Sequence, residues 1–440
     1  KDIKLVTDTV ISKRYLDFIL WILNYYLASS INLVDVTGLK RFAKTNLDSD
    51  KNDEAESNES IKLALPKIEL SKEQEAIYRK LESVNQNKLF LIEGVTGSGK
   101  TYIYLKLALE KLLEGKQVLI LLPEILLAKQ VHKLINKLVS SKNIYIYNSK
   151  ITKKQRDKII KACYNKEPCI VVGTRSALFL PFNNLGFIVI DEEHDLSYKQ
   201  ENTLRFNSRD LVAKLASLHN CIGLLVSATP SLQLKYLVKL KRLEHLKLNS
   251  RYKGLEMPNT KIVKIDRNEI ISSELASEIR NSLSSKKQVI LLYNRRGSAQ
   301  LILCSECQNI AKCSECNTNL TLHTSSNSKP VFKCHFCGKI ENSNIACREC
   351  GSRDWLFIGL GTKKIEEKVK QLFKSAKVAR LDNDTDNPDD IISQTELGEI
   401  DIVIGTQMLA KGFNFDKVNL VAVLAVENFL SIPDYNTIEL

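Results

Sequence analysis

Between Gly94 and Thr101 the chain reads GVTGSGKT, a match to G-x-x-x-x-G-K-[ST], and this short run constrains the fold more than any other feature. The apolar segment KLFLIE precedes it and the helical pattern TYIYLKLALEKLLEG follows. At a strand–helix junction of this kind, glycines let backbone N–H groups curl round a phosphate at the positive end of a helix dipole. Gly94, Val95, Thr96, Gly97, Ser98 and Gly99 are therefore expected to form an ATP-binding loop. In it, Lys100 would reach the β- and γ-phosphates, and Thr101 would ligate Mg2+.

The surrounding pattern supplies the rest of such a layer. Apolar strands are expected at Leu89–Glu93, Gln117–Leu122, Ile144–Tyr147, Ile170–Gly173, Phe187–Ile190 and Gly223–Ser227, with helical patterns between them, including Lys100–Glu114. Near-continuous apolar strands alternating with helices indicate a doubly wound parallel sheet. A second series follows at Gln288–Tyr293, Leu356–Gly359, Lys377–Leu381, Asp401–Gly405 and Leu420–Ala425, interrupted after its first strand by a cysteine cluster. The fold class expected is α/β, with two parallel-sheet lobes and a small insertion in the second.

A second chemical motif sits in the first series. The apolar strand Phe187–Ile190 ends in Asp191-Glu192-Glu193-His194, which places Asp191 to hold the Mg2+ shell and Glu192 to orient or deprotonate an attacking water. Lys100, Asp191 and Glu192 are the expected catalytic residues of ATP hydrolysis. Gln74, in LSKEQ upstream of the loop, is a candidate adenine reader.

Several segments suit a nucleic-acid strand. Thr174 and Arg175 in GTRS, and Thr406 and Gln407 in GTQ, each follow a strand and offer small polar groups to phosphates. The loop DLSYKQENTLRFNSR mixes Tyr198 and Phe206 with Lys199, Arg205 and Arg209, as stacking platforms and phosphate contacts do. Arg295 and Arg296 of NRRG and Lys411 of MLAKG complete the candidate set facing a nucleic-acid strand. A formal charge of +13, from 64 Lys and Arg against 51 Asp and Glu, agrees with a polyanionic partner. The composition excludes collagen, coiled coil and a polytopic membrane protein, and the apolar stretch Phe18–Ala28 is too short to span a bilayer.

Eight of the 11 cysteines form four Cys-x-x-Cys pairs between Cys304 and Cys350. Cys313/Cys316 and Cys334/Cys337 lie 17 residues apart, within the zinc-ribbon range. Only five residues separate Cys307 from Cys313, a tight reversal for a shared site. The nested pairing leaves Cys304, Cys307, Cys347 and Cys350 for one Zn2+ and Cys313, Cys316, Cys334 and Cys337 for another. Four thiolates with no open position make structural sites. His323 and His335 are substitute ligands, although eight sulfurs already complete two sites. Cys163, Cys169 and Cys221 lie in apolar surroundings and are expected to be packing residues.

Taken in order, GVTGSGKT, LPEI, VVGTRSALFLPF, VIDEEHDLSYKQ, VSATPSL, LLYNRRG, the four Cys-x-x-Cys pairs, GLGTKKIEE and IGTQMLAKGFNF resemble the primosomal protein N′ family of replication-restart helicases from about Ile61 onward. The resemblance implies a superfamily 2 motor with two RecA-like lobes, 3′→5′ polarity and the same nested zinc pairing. It implies branched and single-stranded DNA as substrates. Other primosome proteins, the replicative helicase loader and a single-stranded-DNA-binding protein would be its partners. A monomeric, cytoplasmic, nucleoid-associated bacterial protein is expected.

Domain bounds follow. Residues 1–47 would be a partial winged-helix-like segment, with an amphipathic helix whose apolar face is Tyr15, Ile19, Leu20, Leu23, Tyr26 and Leu27, then a short element near Asp35–Gly38. An acidic linker (48–60) leads to lobe one (61–250); lobe two starts at 251–301, is broken by the zinc insertion (302–352), and resumes over 353–440. The resemblance places a further arginine motif after SIPDYNTIEL, and the chain begins with Lys1. The expectation is therefore a chain shortened at both ends, with a catalytically weak DNA- or primosome-binding remnant as the alternative function.

Overall fold

The computed structural model describes residues 12–29, 68–84, 86–139, 143–200, 204–251, 258–265, 269–293, 301–323, 331–334, 337–358, 362–382, 385, 387–406, 409 and 415–426. Two compact units divide the chain, Lys1–Pro258 and Asn259–Leu440.

The first unit is built on seven parallel strands: β1 (Lys88–Gly94), β2 (Gln117–Leu121), β3 (Ile144–Tyr147), β4 (Cys169–Gly173), β5 (Leu185–Ile190), β6 (Ile222–Ser227) and β7 (Glu244–Leu248). Their order is β3-β4-β2-β5-β6-β1-β7. Every residue of β2, β4 and β6 is buried, because helices cover both faces; this is why those strands lack polar alternation. Phe90 and Ile92 of β1 join one core layer with Ile103, Leu107 and Val131 from the helices Lys100–Leu113 and Ile125–Leu138. Leu91, one residue out of phase, joins the opposite layer with Ile159 and Leu211.

The helix Lys13–Tyr25 belongs to that second layer rather than to a separate segment: Tyr15, Phe18, Ile19 and Ile22 are buried there. The face expected from sequence is rotated, since Leu20 is 46% and Leu27 91% exposed. Spacing at 15, 18, 19 and 22 is the i, i+3, i+4, i+7 pattern, and aromatic Phe18 anchors it. The Tyr15 hydroxyl donates to Phe179 O at 2.9 Å, closing the helix onto the strand-following turn Arg175–Phe179. The expected element at Asp35–Gly38 and the linker lie outside the described residues.

Strand β7 had no counterpart in the sequence expectations. EHLKL carries three charged or titratable side chains because it is an edge strand, pairing in parallel with β1 alone and burying Leu246 and Leu248.

The second unit has a four-stranded parallel sheet, ordered β14-β15-β8-β16, of β8 (Gln288–Tyr293), β14 (Val378–Leu381), β15 (Ile402–Gly405) and β16 (Val418–Leu424). The helices Ser273–Ser284 and Thr362–Leu372 contribute Ile279, Ile365 and Val369 to its core. The insertion is an antiparallel sheet of β9 (Leu301–Cys304), β10 (Thr321–His323), β11 (Val331–Lys333), β12 (Ile340–Asn342) and β13 (Trp355–Ile358), ordered β12-β11-β10-β9-β13. The segment assigned from sequence to the parallel series, Leu356–Gly359, is thus corrected: β13 pairs antiparallel with β9, Trp355 opposite Cys304. The chain must return beside its point of departure to bring Cys350 to Cys304, so the insertion extends past residue 352 to β13. Among the described residues no helix is long and apolar enough to cross a membrane.

Candidate nucleotide and nucleic-acid site

The phosphate loop joins β1 to the helix Lys100–Leu113. Gly97 and Gly99 have φ of 78° and 76°, a region that disfavours side chains. A Cβ at Gly99 would collide with the Gln74 amide, and one at Gly94 would come within 2.9 Å of the Leu248 Cβ. β7 therefore floors the loop, and Val95 N donates to Leu248 O at 3.2 Å. Arg251 adds a bond from Nε to Thr96 O at 2.9 Å. Glu73 accepts from Asn249 N at 2.8 Å, tying the helix Lys72–Glu82 to the same corner.

Gln74 is 2% exposed, and both ends of its amide are engaged. Oε1 accepts from Ser71 N at 2.8 Å within a capping box, and Nε2 donates to Ser98 O at 2.7 Å. The residue considered for adenine thus braces the phosphate loop.

Lys100 bends back so that Nζ donates to Gly94 O at 2.7 Å and Val95 O at 3.3 Å. Burial lowers its pKa, opposed by the charges of Glu192 and Asp191. The Ser98 hydroxyl is buried with no partner, and the helix Lys100–Leu113 has no side-chain cap. An ammonium resting on loop carbonyls, an orphaned hydroxyl and uncapped N–H groups fit a nucleotide's phosphates chemically.

Asp191 follows β5, and its N–H donates to Leu121 O at 3.0 Å. Its carboxylate accepts from Glu192 N at 2.9 Å and from the Tyr104 hydroxyl at 2.8 Å. Burial and the neighbouring Glu192 charge push its pKa up to about 6, the condition a divalent cation relieves. Glu192 sits at φ 50°, a conformation uncommon for glutamate, held by its N–H bond to Asp191 and by Asp195 N donating to its carbonyl at 2.9 Å. His194 Nδ1 lies 2.8 Å from Ser227 Oγ and 3.6 Å from Glu192, joining the acidic motif to the SATP segment. Glu193 is fully buried; it accepts from Ser231 N at 2.8 Å and pairs with Arg209 at 3.2 Å.

Three candidates for nucleic-acid contact are corrected by their surroundings. Tyr198 is 1% exposed, with its hydroxyl donating to Asp191 O at 2.7 Å and lying 3.0 Å from Leu121 O, so no ring face is available to a base. Phe206 is buried equally, edge-on to Phe179. Half-buried Arg209 is bound up with Glu193 and Ser231. The loop's aromatic residues are core, and its surface is cationic.

That surface carries Lys199 and Arg205, both exposed, with Lys199 Nζ donating to Arg205 O at 2.8 Å. Half-buried Arg175 donates to Ser197 O at 2.6 Å, linking the GTRS turn to the loop, and half-buried Thr174 follows β4 at the start of that turn. Thr406 follows β15 in the second unit. Arg295, Arg296, Gln407 and Lys411 lie outside the described residues.

The cysteines gather as two tetrads, Cys304/Cys307/Cys347/Cys350 and Cys313/Cys316/Cys334/Cys337, each with its sulfurs within 4.8 Å of one another. Cross-pair separations are 3.4 Å for Cys304–Cys350 and 3.3 Å for Cys316–Cys334, too long for disulfides and close to the edge of a tetrahedron with bonds of about 2.3 Å. Backbone N–H groups of Cys307 and Glu306 aimed at Cys304 lower its pKa to about 6, which favours a thiolate ligand. These donor sets are compatible with two Zn2+. His335 lies outside the described residues, and His323 belongs to neither tetrad. Cys163, Cys169 and Cys221 are buried, as expected of packing residues.

Sequence inspection passed over Tyr104, Glu193, Glu73 and Arg251. Only Tyr104 left a signal there, one helical turn after Thr101 on a face otherwise apolar.

A parallel sheet with a phosphate loop on β1 and an acidic motif after β5 is the framework of a phosphate-loop nucleotide-binding domain, and residues 71–237 match the DEAD/DEAH box helicase family. The replication restart protein PriA of Rickettsia felis is 37% identical over 433 residues, covering 96% of this chain and 64% of that protein. PriA of Haemophilus influenzae is 38% identical over 87% of this chain and 53% of its own length, and that of Bacillus subtilis 34% over 84% and 47%. Over most of its own length the chain is similar to these replication restart PriA proteins, of which it spans 47% to 64%. Among solved structures, the DUF1998 helicase MrfA bound to DNA and AMPPNP shares the fold, with a TM-score of 0.51 and 15% identity over 81% of this chain and 44% of that one.

Proposed function

We propose that this chain is the motor portion of a bacterial replication-restart helicase, hydrolysing ATP to move 3′→5′ along DNA. The observation that carries this is the convergence of Lys100, Asp191 and Glu192, whose charges act on one another at the carboxyl ends of β1 and β5. Lys100 would leave the loop carbonyls for the terminal phosphates. The uncapped N–H groups and the Ser98 hydroxyl would bind phosphate oxygens. Glu192 would take the proton of the attacking water. Mg2+, held through Thr101 and Asp191, would neutralise charge on the β- and γ-phosphates.

Thr174, Arg175, Lys199 and Arg205 in the first unit, with Arg295, Arg296, Thr406, Gln407 and Lys411 in the second, are the residues proposed to grip the strand. Similarity to the PriA proteins favours branched and single-stranded DNA over RNA. It also favours primosome proteins, a helicase loader and a single-stranded-DNA-binding protein as partners, a cytoplasmic site of action, and two structural Zn2+.

The test is ATP turnover by the 440-residue chain with and without single-stranded DNA, alongside Lys100→Ala. DNA should stimulate turnover, and the substitution should remove at least about 99% of it, since the ammonium stabilises transferring phosphate. Turnover indifferent to Lys100→Ala would overturn the assignment. Displacement of a strand from 5′-tailed but not 3′-tailed partial duplexes would overturn the polarity.

A further inference from the structure

Tyr104 is a buried polar side chain that none of the motifs above employs. It lies on the helix Lys100–Leu113, three residues after Thr101, and is fully buried in the layer formed by Ile103, Leu107 and Val189. Its ring needs no hydroxyl to fill that space. Yet the hydroxyl donates to Asp191 Oδ2 at 2.8 Å, while Glu192 N holds Oδ1 at 2.9 Å. Thr101 lies one helical turn earlier on the same helix. One oxygen atom thus ties the carboxylate proposed for Mg2+ to the helix that carries Thr101.

The carboxylate is consequently held at both oxygens, and its rotation about χ2 would cost a buried hydrogen bond. A carboxylate held in one orientation meets a cation with less reorganisation than a freely rotating one, which is the general role of groups that support metal ligands. A phenol also suits the task electrically: it donates to the carboxylate without adding a charge that would repel the cation.

We infer that Tyr104 is the positioning residue of the cation site, fixing Asp191 so that Mg2+-nucleotide is favoured over nucleotide alone. This rests on the ATP site proposed above, and the experiment separates the two. Binding of a fluorescent ATP analogue is titrated against Mg2+ for the full chain and for Tyr104→Phe, without turnover as a readout. The substitution keeps the ring, so packing is retained, and thermal unfolding of both proteins checks this.

The expected result is a Mg2+ half-saturation about tenfold higher in Tyr104→Phe, with nucleotide affinity in EDTA unchanged and binding restored at high Mg2+. Equal Mg2+ dependence in the two proteins would overturn the inference while leaving the ATP site intact. Equal weakening with and without Mg2+ would also overturn it, since that marks a general loss of packing. If the unsubstituted chain bound no nucleotide, the ATP site itself would fall.

Discussion

His219 shows how a single buried group sets the conditions under which the first unit is stable. It ends the helix Ser208–His219, and its Nδ1 is buried without a hydrogen-bond partner. Burial, aided by the charge of Arg14, lowers its pKa from 6.5 to about 4. The unfolded chain therefore takes up a proton below pH 6.5 that the folded chain refuses until about pH 4. Stability from this group is complete above the unfolded value and is lost as pH falls through that window, by about 3 kcal/mol at most. Urea unfolding of the chain at pH 7 and pH 4.5 should show a smaller loss of stability in His219→Gln than in the parent. Parallel losses in both proteins would mean that His219 is not the group responsible. Tyr198 teaches the complementary lesson at this scale. An aromatic residue beside lysines and arginines looks like a base platform, but its fate depends on whether backbone carbonyls such as Leu121 O and Asp191 O await its hydroxyl.

Elements were legible where their physics is local. The buried strands of the first sheet stand out because helices on both faces demand unbroken apolar runs, and the phosphate loop because its glycines serve the backbone itself. Edge strand β7 did not stand out, since one open side admits Glu244, His245 and Lys247. Helix Lys13–Tyr25 was visible, but its buried face depends on which neighbour it meets. β13 was misplaced because parallel and antiparallel pairing leave the same mark on four apolar residues. The cysteine spacing, by contrast, specified both tetrads. The insertion's small core is formed by Ile302, Ala311, Leu320 and Phe332 with two of the cysteines, too little to hold five short strands alone. Elemental analysis should find two zinc equivalents per chain. Cys307→Ser and Cys316→Ser should each lose one, and stripping both should expose the β9–β13 amides to hydrogen exchange. A chain that contained no zinc and retained protected amides would refute the structural role.

Across the whole molecule, the surplus of 64 basic over 51 acidic residues has a consequence that depends on where each charge sits. A basic residue engaging a backbone phosphate releases counterions, and the salt slope on a single strand steepens by about 0.7 per contact. A basic residue neutralised inside the protein releases none. The loop after the acidic motif contains both kinds. Lys199 and Arg205 are exposed, whereas the Arg209 guanidinium is paired with fully buried Glu193. Binding of oligo-dT measured from low to moderate salt should therefore separate them. The double variant Lys199→Ala/Arg205→Ala should flatten the slope by about 1.4, two contacts' worth, and weaken mixed-sequence DNA equally. Arg209→Ala should leave the slope unchanged while costing about 3–5 kcal/mol of folding stability, because it strands the Glu193 carboxylate without its partner. If Arg209→Ala flattened the slope and the double variant did not, the loop would have to present a different face to DNA than its buried aromatic residues and internal ion pair imply.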